Sequence, residues 1–257
     1  MAPQVSIARL KEFGITPDRE LGQNFLIDDN VLELVGTLLP LEATDVVLEV
    51  GPGLGVLTTW LAGRVRLVHA IEIDRRLEPA LAETLAGVDN VRLRFADALD
   101  VDPRSLDPPP GVLCANLPYN VATPVVMEAL PACERFCVMV QREIADRLFA
   151  GPGTKSYGAV SVLVQLCCRR LGRKPVSRRV FSPVPNVDSA LVAFERRADA
   201  PVGPGWPQLV SIVRGAFSHR RKTLANSLDL AGLPAPPERY ARLRAEQLAP
   251  EQFLELM

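Results

Sequence analysis

Two histidines, no C-x-x-C pair and an odd number of cysteines leave little material for a metal centre or a disulfide framework. Of the five cysteines, Cys114, Cys133 and Cys137 fall in apolar, strand-like runs, and Cys167 and Cys168 are adjacent. His69 and His219 are far from these in sequence, whereas a zinc site needs a tighter pattern. Buried free thiols of a cytosolic protein are the expected state, with no metal. Long apolar runs are scarce as well. The start, MAPQVSIARLKEF, has none, so no signal peptide is expected and the location implied is cytoplasmic. Residues 108–127 lack charge, but five prolines and two asparagines lie among them, which excludes a membrane helix. The longest clean run, YGAVSVLVQLCC (157–168), has the length of a buried helix. No internal repeat is present.

What the chain does have is enough apolar material for a core, 48% of 257 residues, and a segregated charge. Residues 1–151 carry 13 Lys and Arg against 22 Asp and Glu, whereas residues 152–222 carry 13 against 3. The second block includes RRLGRKPVSRR (169–179) and HRRK (219–222), neither with a carboxylate. The net charge of −1 hides a candidate polyanion footprint in that block, although a charge run is also how a solvated face reads.

From residue 30 to 140, apolar strands alternate with helical patterns. Strands are expected at 45–51, 66–74, 91–97, 111–117 and 135–141, and helices at 55–64, 75–87 and 122–131. Such alternation predicts a parallel sheet covered on both faces, with ligands beyond the carboxyl ends of its strands. Two further segments, PVSRRVFSP (175–183) and VDSALVAFERR (187–197), predict an antiparallel hairpin at the sheet edge. ADAPVGPGWP (198–207) reads as a linker, and four short helices are expected after it. The division expected is a catalytic domain over 1–199 and a small helical domain over 200–257.

Polar residues collect at the strand ends. EVGPGLGVLT (49–58) places Gly51, Gly53 and Gly55 between the first strand and the first helix, without the G-x-G-x-x-G spacing of a dinucleotide fingerprint. Glu72 ends the next strand, where an acid can accept both hydroxyls of a ribose. Asp97 ends the third, where a carboxylate can accept from an exocyclic adenine amine. Each alone is an ordinary solvated acid, but the three in succession point to a nucleoside-bearing cofactor. CANLPYN (114–120) ends the fourth strand with an amide and an aromatic ring on a proline-stiffened corner, an arrangement suited to a flat, hydrogen-bonding ring such as a nucleobase.

Taken together, these motifs resemble the small-subunit ribosomal RNA adenine N6,N6-dimethyltransferases, which use S-adenosylmethionine. LGQNFLID (21–28), EVGPGLGVLT, IEID, NLPYN, KSYGAVSVLVQ (155–165), FSPVPNVDSALV (181–192) and FSHRRKTLANSL (217–228) carry the resemblance nearly end to end. KSYG and RRKTLANSL are similar to the housekeeping small-subunit branch rather than to the large-subunit resistance enzymes. The acidic overall balance departs from the family's usual basic character. The resemblance implies a class I methyltransferase fold, with a seven-stranded Rossmann-like sheet and a small C-terminal helical domain that recognises RNA. It implies a monomer acting on small-subunit ribosomal RNA within a pre-30S particle, dimethylating each of two adjacent adenosines near the 3′ end.

By the same resemblance, Asn24 and Leu26 would cover the methionine and sulfonium end of the cofactor, and Gly51 and Gly53 would line it. Glu72 would hold the ribose and Asp97 the adenine, while Asn116 would border both cofactor and target. Asn116, Leu117, Pro118 and Tyr119 would form the catalytic corner, with Tyr119 stacking on the target base and Phe181 a candidate for its other face. Arg220, Arg221 and Lys222 would contact RNA. The competing readings are a dehydrogenase, a glutamine or DNA-adenine methyltransferase, and a ribosome-assembly factor without catalysis. The glycine spacing and NLPY count against the first. Leu117, where Asn-Pro-Pro-Tyr or Asp-Pro-Pro-Tyr is common, counts against the second, and the intact polar set counts against the third.

Overall fold

In the computed structural model, residues 3–18, 20–28 and 30–257 are described, the side chains of residues 3–7 excepted. The nine strands are β1 (Phe25–Leu26), β2 (Val46–Val50), β3 (Leu67–Glu72), β4 (Val91–Phe95), β5 (Val112–Asn116), β6 (Arg135–Gln141), β7 (Cys168–Val176), β8 (Phe181–Ser182) and β9 (Ser189–Arg196). Seven of them form one sheet in the order β4-β3-β2-β5-β6-β9-β7, and β1 pairs with β8 in a separate two-stranded sheet.

Every residue of β2 and of β3 is buried, as expected of strands covered on both faces. Their parallel pairing sets Val47 opposite both Val68 and Val112, so β2 lies between β3 and β5. Chain order runs outward to β4 on one side of β2 and resumes at β5 on the other. This reversal leaves a crevice beyond the strand ends, where no crossover helix closes it. The helices α2 (Asn30–Leu38), α3 (Val56–Ala62), α4 (Glu78–Thr84) and α5 (Ala122–Ala129) connect the strands. Val35, Leu57 and Leu61 join Val47, Val68 and Cys114 in the main core. On the other flank β9 runs antiparallel to β6, and Phe136 stacks on Phe194 with ring centroids 4.6 Å apart.

The expected edge hairpin is corrected in its first strand. Residues 168–176 form it, not 175–183, and Ser177–Val180 turn instead, with the Ser177 hydroxyl accepting the Arg179 amide. Pro175 near its end offers no ladder donor and suits an edge strand. Phe181 and Ser182 then leave the main sheet to pair with Leu26 and Phe25. The expected helix over 157–168 is α7 (Ala159–Cys167). All five cysteines are buried, and none is in a disulfide.

Packing divides the chain into two compact units, 1–142 with 170–195, and 143–169 with 196–257. Residues 143–169 therefore group with the C-terminal helices, unlike the division at 199/200 read from the linker composition. The second unit has its own core. The Tyr157 hydroxyl donates to the Leu248 carbonyl at 2.8 Å, and Phe217 meets both Tyr157 and Phe253 with centroids 5.8 Å apart. Its helices include α8 (Trp206–Phe217) and α9 (Leu224–Leu230).

Candidate active site

The carboxyl ends of β2, β3, β4 and β5 open into one cleft, also lined by residues 21–26. Asn24, Leu26, Gly51, Gly53, Glu72, Asp97, Asn116, Leu117, Pro118 and Tyr119 all line it, so ten of the expected site residues are brought together. The other four are not. Phe181 is 1% exposed and belongs to the main core, where its ring packs rather than facing the cleft. Its backbone pairs with Leu26, which is how the motif reaches the site. Arg220, Arg221 and Lys222 lie in the second unit.

The glycine loop is shaped by close approaches. Gly53 has a φ of 61°, and a Cβ there would meet the Phe25 ring at 3.2 Å. Its amide donates to Glu72 Oε2 at 3.1 Å, while the Asp74 amide donates to Oε1 at 2.9 Å. Two backbone donors thus aim the Glu72 carboxylate, and each oxygen keeps capacity to accept a ribose hydroxyl. Burial nevertheless pushes its carboxyl above the usual range, against those bonds. Asp97 caps the turn after β4, its Oδ1 accepting the Leu99 amide at 2.9 Å.

Asn116 ends β5. Its Nδ2 donates to the backbone carbonyl of Asn24 at 3.2 Å. A carbonyl only accepts, so this contact fixes which end of the amide is which. The acceptor Oδ1 receives no hydrogen bond from the described residues and remains available at the cleft. The Pro118 carbonyl accepts the Val121 amide at 3.1 Å and retains a second lone pair. Leu117 contributes backbone alone, since its side chain is buried and its amide bonds to Met139. Tyr119 is half-buried, its hydroxyl 2.8 Å from that of Ser189, and burial raises its phenol above the ordinary range.

Three lining residues have no role in the reading of the sequence. Glu49 is 1% exposed, and its Oε2 has no hydrogen-bond partner among the described residues. Burial first, and the Glu72 charge in addition, raise its carboxyl to about 8, with Thr58 opposing. Its signal is a lone carboxylate inside the apolar run VVLEV. Ile73 and Leu99 are 49% and 40% exposed, although both line the cleft. Apolar side chains left wet beside Glu72 and Asp97 form a surface that a flat ring would cover. An apolar surface, a ribose acceptor and an adenine acceptor, a glycine cradle and a buried carboxyl oxygen without a partner fit S-adenosylmethionine.

Similarity to known proteins agrees with this chemistry. The family described as "Ribosomal RNA adenine dimethylase" matches residues 16–249. A ribosomal RNA small subunit methyltransferase A from Rubrobacter xylanophilus is 46% identical over 253 residues, covering 93% of this chain and 94% of its own. Among solved structures, the 23S rRNA methyltransferase ErmE superposes with a TM-score of 0.65 at 29% identity, covering 91% of this chain and 98% of its own. A dimethyladenosine transferase from Plasmodium falciparum gives a TM-score of 0.72 at 24% identity over 90% of this chain and 95% of its own, a likeness of fold. The fold is the class I S-adenosylmethionine-dependent methyltransferase fold followed by C-terminal helices. With the family pattern matched over most of its length and a relative of such identity end to end, the chain belongs to the ribosomal RNA adenine dimethylase family.

Proposed function

We propose that the cleft transfers methyl groups to the N6 atoms of two adjacent adenosines near the 3′ end of small-subunit ribosomal RNA, each becoming dimethylated. Family membership supports the catalytic reading over that of an assembly factor without activity. The observation that carries the chemistry is the Asn116 amide, held by the Asn24 carbonyl so that its acceptor end remains at the cleft.

S-adenosylmethionine, when bound, supplies a sulfonium methyl group, an already strong donor. The residues must improve the nucleophile, because the N6 lone pair of adenine is delocalised into the ring. In the first transfer Asn116 Oδ1 and the Pro118 carbonyl each accept one N6 hydrogen, and in the second one of them accepts the hydrogen that remains, which favours a pyramidal nitrogen and frees its lone pair. Such fixed dipoles act most strongly where charge develops in the transition state. Tyr119 holds the base by its ring face, a stack contributing about 1–3 kcal/mol, once the adenosine has left its own stack. The displaced proton passes from N6 to solvent after attack. Glu72 takes the ribose and Asp97 the adenine of the cofactor, with Ile73 and Leu99 covering the ring. Gly51, Gly53, Asn24 and Leu26 close around its amino-acid end.

The substrate is read as a pre-30S particle, the enzyme as a cytoplasmic monomer, and the C-terminal helices over 200–257 as an RNA-recognition element. Exposed Arg221 and Lys222 support that last assignment. No helix among the described residues is long and apolar enough to cross a membrane. Incubation with labelled S-adenosylmethionine and under-methylated small subunits, followed by nucleoside analysis, tests the reading. Label in N6,N6-dimethyladenosine is expected, with N6-methyladenosine as its precursor, and label confined to nucleosides other than these two would refute it.

A further inference from the structure

Gln23 stands next to Asn24 in the chain, yet nothing in the chemistry above uses it. Its side chain spans two elements. Oε1 accepts the backbone amide of Asp18 at 2.8 Å, and because that group can only donate, Nε2 is the end that meets Asp74. The bond from Nε2 to Asp74 Oδ2 is 2.7 Å long, and the Gln23 amide returns to the Asp18 carbonyl at 3.1 Å. Asp74 is 5% exposed and takes three further bonds from Arg76, which hold its carboxyl below the ordinary range. Its own amide is one of the two donors that aim Glu72.

These contacts form a continuous path. It runs from the Glu72 carboxylate through the backbone and side chain of Asp74 to Gln23, then along the chain to Asn24, whose carbonyl holds Asn116. The described residues 17, 18 and 20–24 lie in no strand or helix, and side chains tie them down: besides Gln23, Arg76 meets Asp18 Oδ2 at 3.5 Å and the Asn120 amide donates to the Glu20 carbonyl at 3.0 Å. A charge-assisted bond to a buried carboxylate is the strong kind of tie, and here it joins the loop to the end of β3.

We propose that Gln23 and Asp74 form a latch that sets the segment leading into Asn24 against the end of β3, so that cofactor retention and the orientation of Asn116 depend on their hydrogen bond. Gln23 also lines the cleft, and its role in the latch is that of a positioning residue, acting through Asp74 and Asn24. The inference rests on the assignment of Asn24, Glu72 and Asn116 to the cofactor cleft.

The test is a double-mutant cycle on the full chain, with Gln23→Met, Asp74→Asn and both together, beside Asp97→Ala as a reference for the cleft. Affinity for S-adenosylmethionine and for S-adenosylhomocysteine is measured by calorimetry. Methyl transfer is measured in single turnovers on under-methylated small subunits at saturating cofactor. Gln23→Met keeps the length of the side chain and removes its polar end. It is expected to weaken both cofactor forms about tenfold, the scale of a hydrogen bond to a charged group. It should also slow the saturated turnover, which a purely structural contact away from Asn116 would leave alone. Because both residues act through one bond, the double variant should be no worse than the poorer single one. Normal affinity in Gln23→Met beside weakened binding in Asp97→Ala would overturn the latch alone, as would strictly additive losses. Normal affinity in both would overturn the cleft assignment beneath it. Should Asp74→Asn fail to fold, Gln23→Met still decides.

Discussion

The Nδ2 of Asn116 and the main-chain carbonyl of Asn24 lie 3.2 Å apart, 92 residues separated in sequence. The residue assigned to the target base is therefore oriented by the loop assigned to the cofactor. Asn116→Ala removes the oriented acceptor and should lower the single-turnover rate by about 10²–10³ at saturating S-adenosylmethionine, with the fold and RNA binding retained. Near-normal transfer would mean that the corner is structural.

Tyr119 offers two separable contributions. Tyr119→Ala removes the ring and should weaken substrate positioning by the value of one stack, about 1–3 kcal/mol. Tyr119→Phe keeps the ring but deprives the buried Ser189 hydroxyl of its 2.8 Å partner. Its transfer rate should stay near normal while thermal stability falls slightly. A rate loss as large as that of the alanine variant would show that the hydroxyl itself takes part.

Glu49 gives a pH dependence of defined sign. Its folded carboxyl is raised from 4.5 to about 8, so the folded state retains a proton that the unfolded state gives up. The stability this group supplies is complete below 4.5 and is lost as pH rises through about 8. Glu49→Gln should remove that loss. Denaturant titrations of the two proteins should diverge across this window, the glutamine variant gaining by up to a few kcal/mol at the alkaline end. Parallel curves would mean that Glu49 is ionised in the fold.

Among the basic residues the structure separates two kinds. Arg220 pairs with Glu246 at 3.3 Å and donates to the Lys155 carbonyl, so part of its role is packing within the second unit. Arg221 and Lys222 are exposed as Arg220 is, but have no such side-chain pairing among the described residues. Neutralising these two should flatten the salt dependence of RNA binding by about 0.7–0.9 in log–log slope for each phosphate that is no longer neutralised, with cofactor binding unchanged. An unaltered slope would mark them as a solvated face.

The parallel sheet is legible because β2, β3 and β5 are largely apolar and punctuated by glycine or proline, a pattern few other elements share. The acids at their ends are legible for the same reason, since a charge that closes an apolar run stands out. Edge segments say less. Residues 168–176 break their apolar positions with four cations, a glycine and a proline, and the periodicity of 175–183 matches a strand that its turn at Ser177–Val180 interrupts. Phe181 reads as a stacking ring because its motif belongs to the site, yet the side chain is spent on the core while the main chain serves the cleft. Gln23 and Glu49 are hidden by a more general limit. Their importance lies in what they meet across the fold, and no local pattern encodes a partner some 50 residues away, as Asp74 is from Gln23.

The pairing of Phe25 with Ser182 and Leu26 with Phe181 also orders events during synthesis. One wall of the cleft is made before the main sheet, but its strand partner is translated only after the sheet strands β2 to β7. A nascent chain stopped before residue 181 would carry the glycine loop, Glu72, Asp97 and the NLPYN corner without the clasp that seats Leu26. On the proposed role of Leu26, a chain ended before residue 181 is expected to retain the methyl donor less well than the full chain.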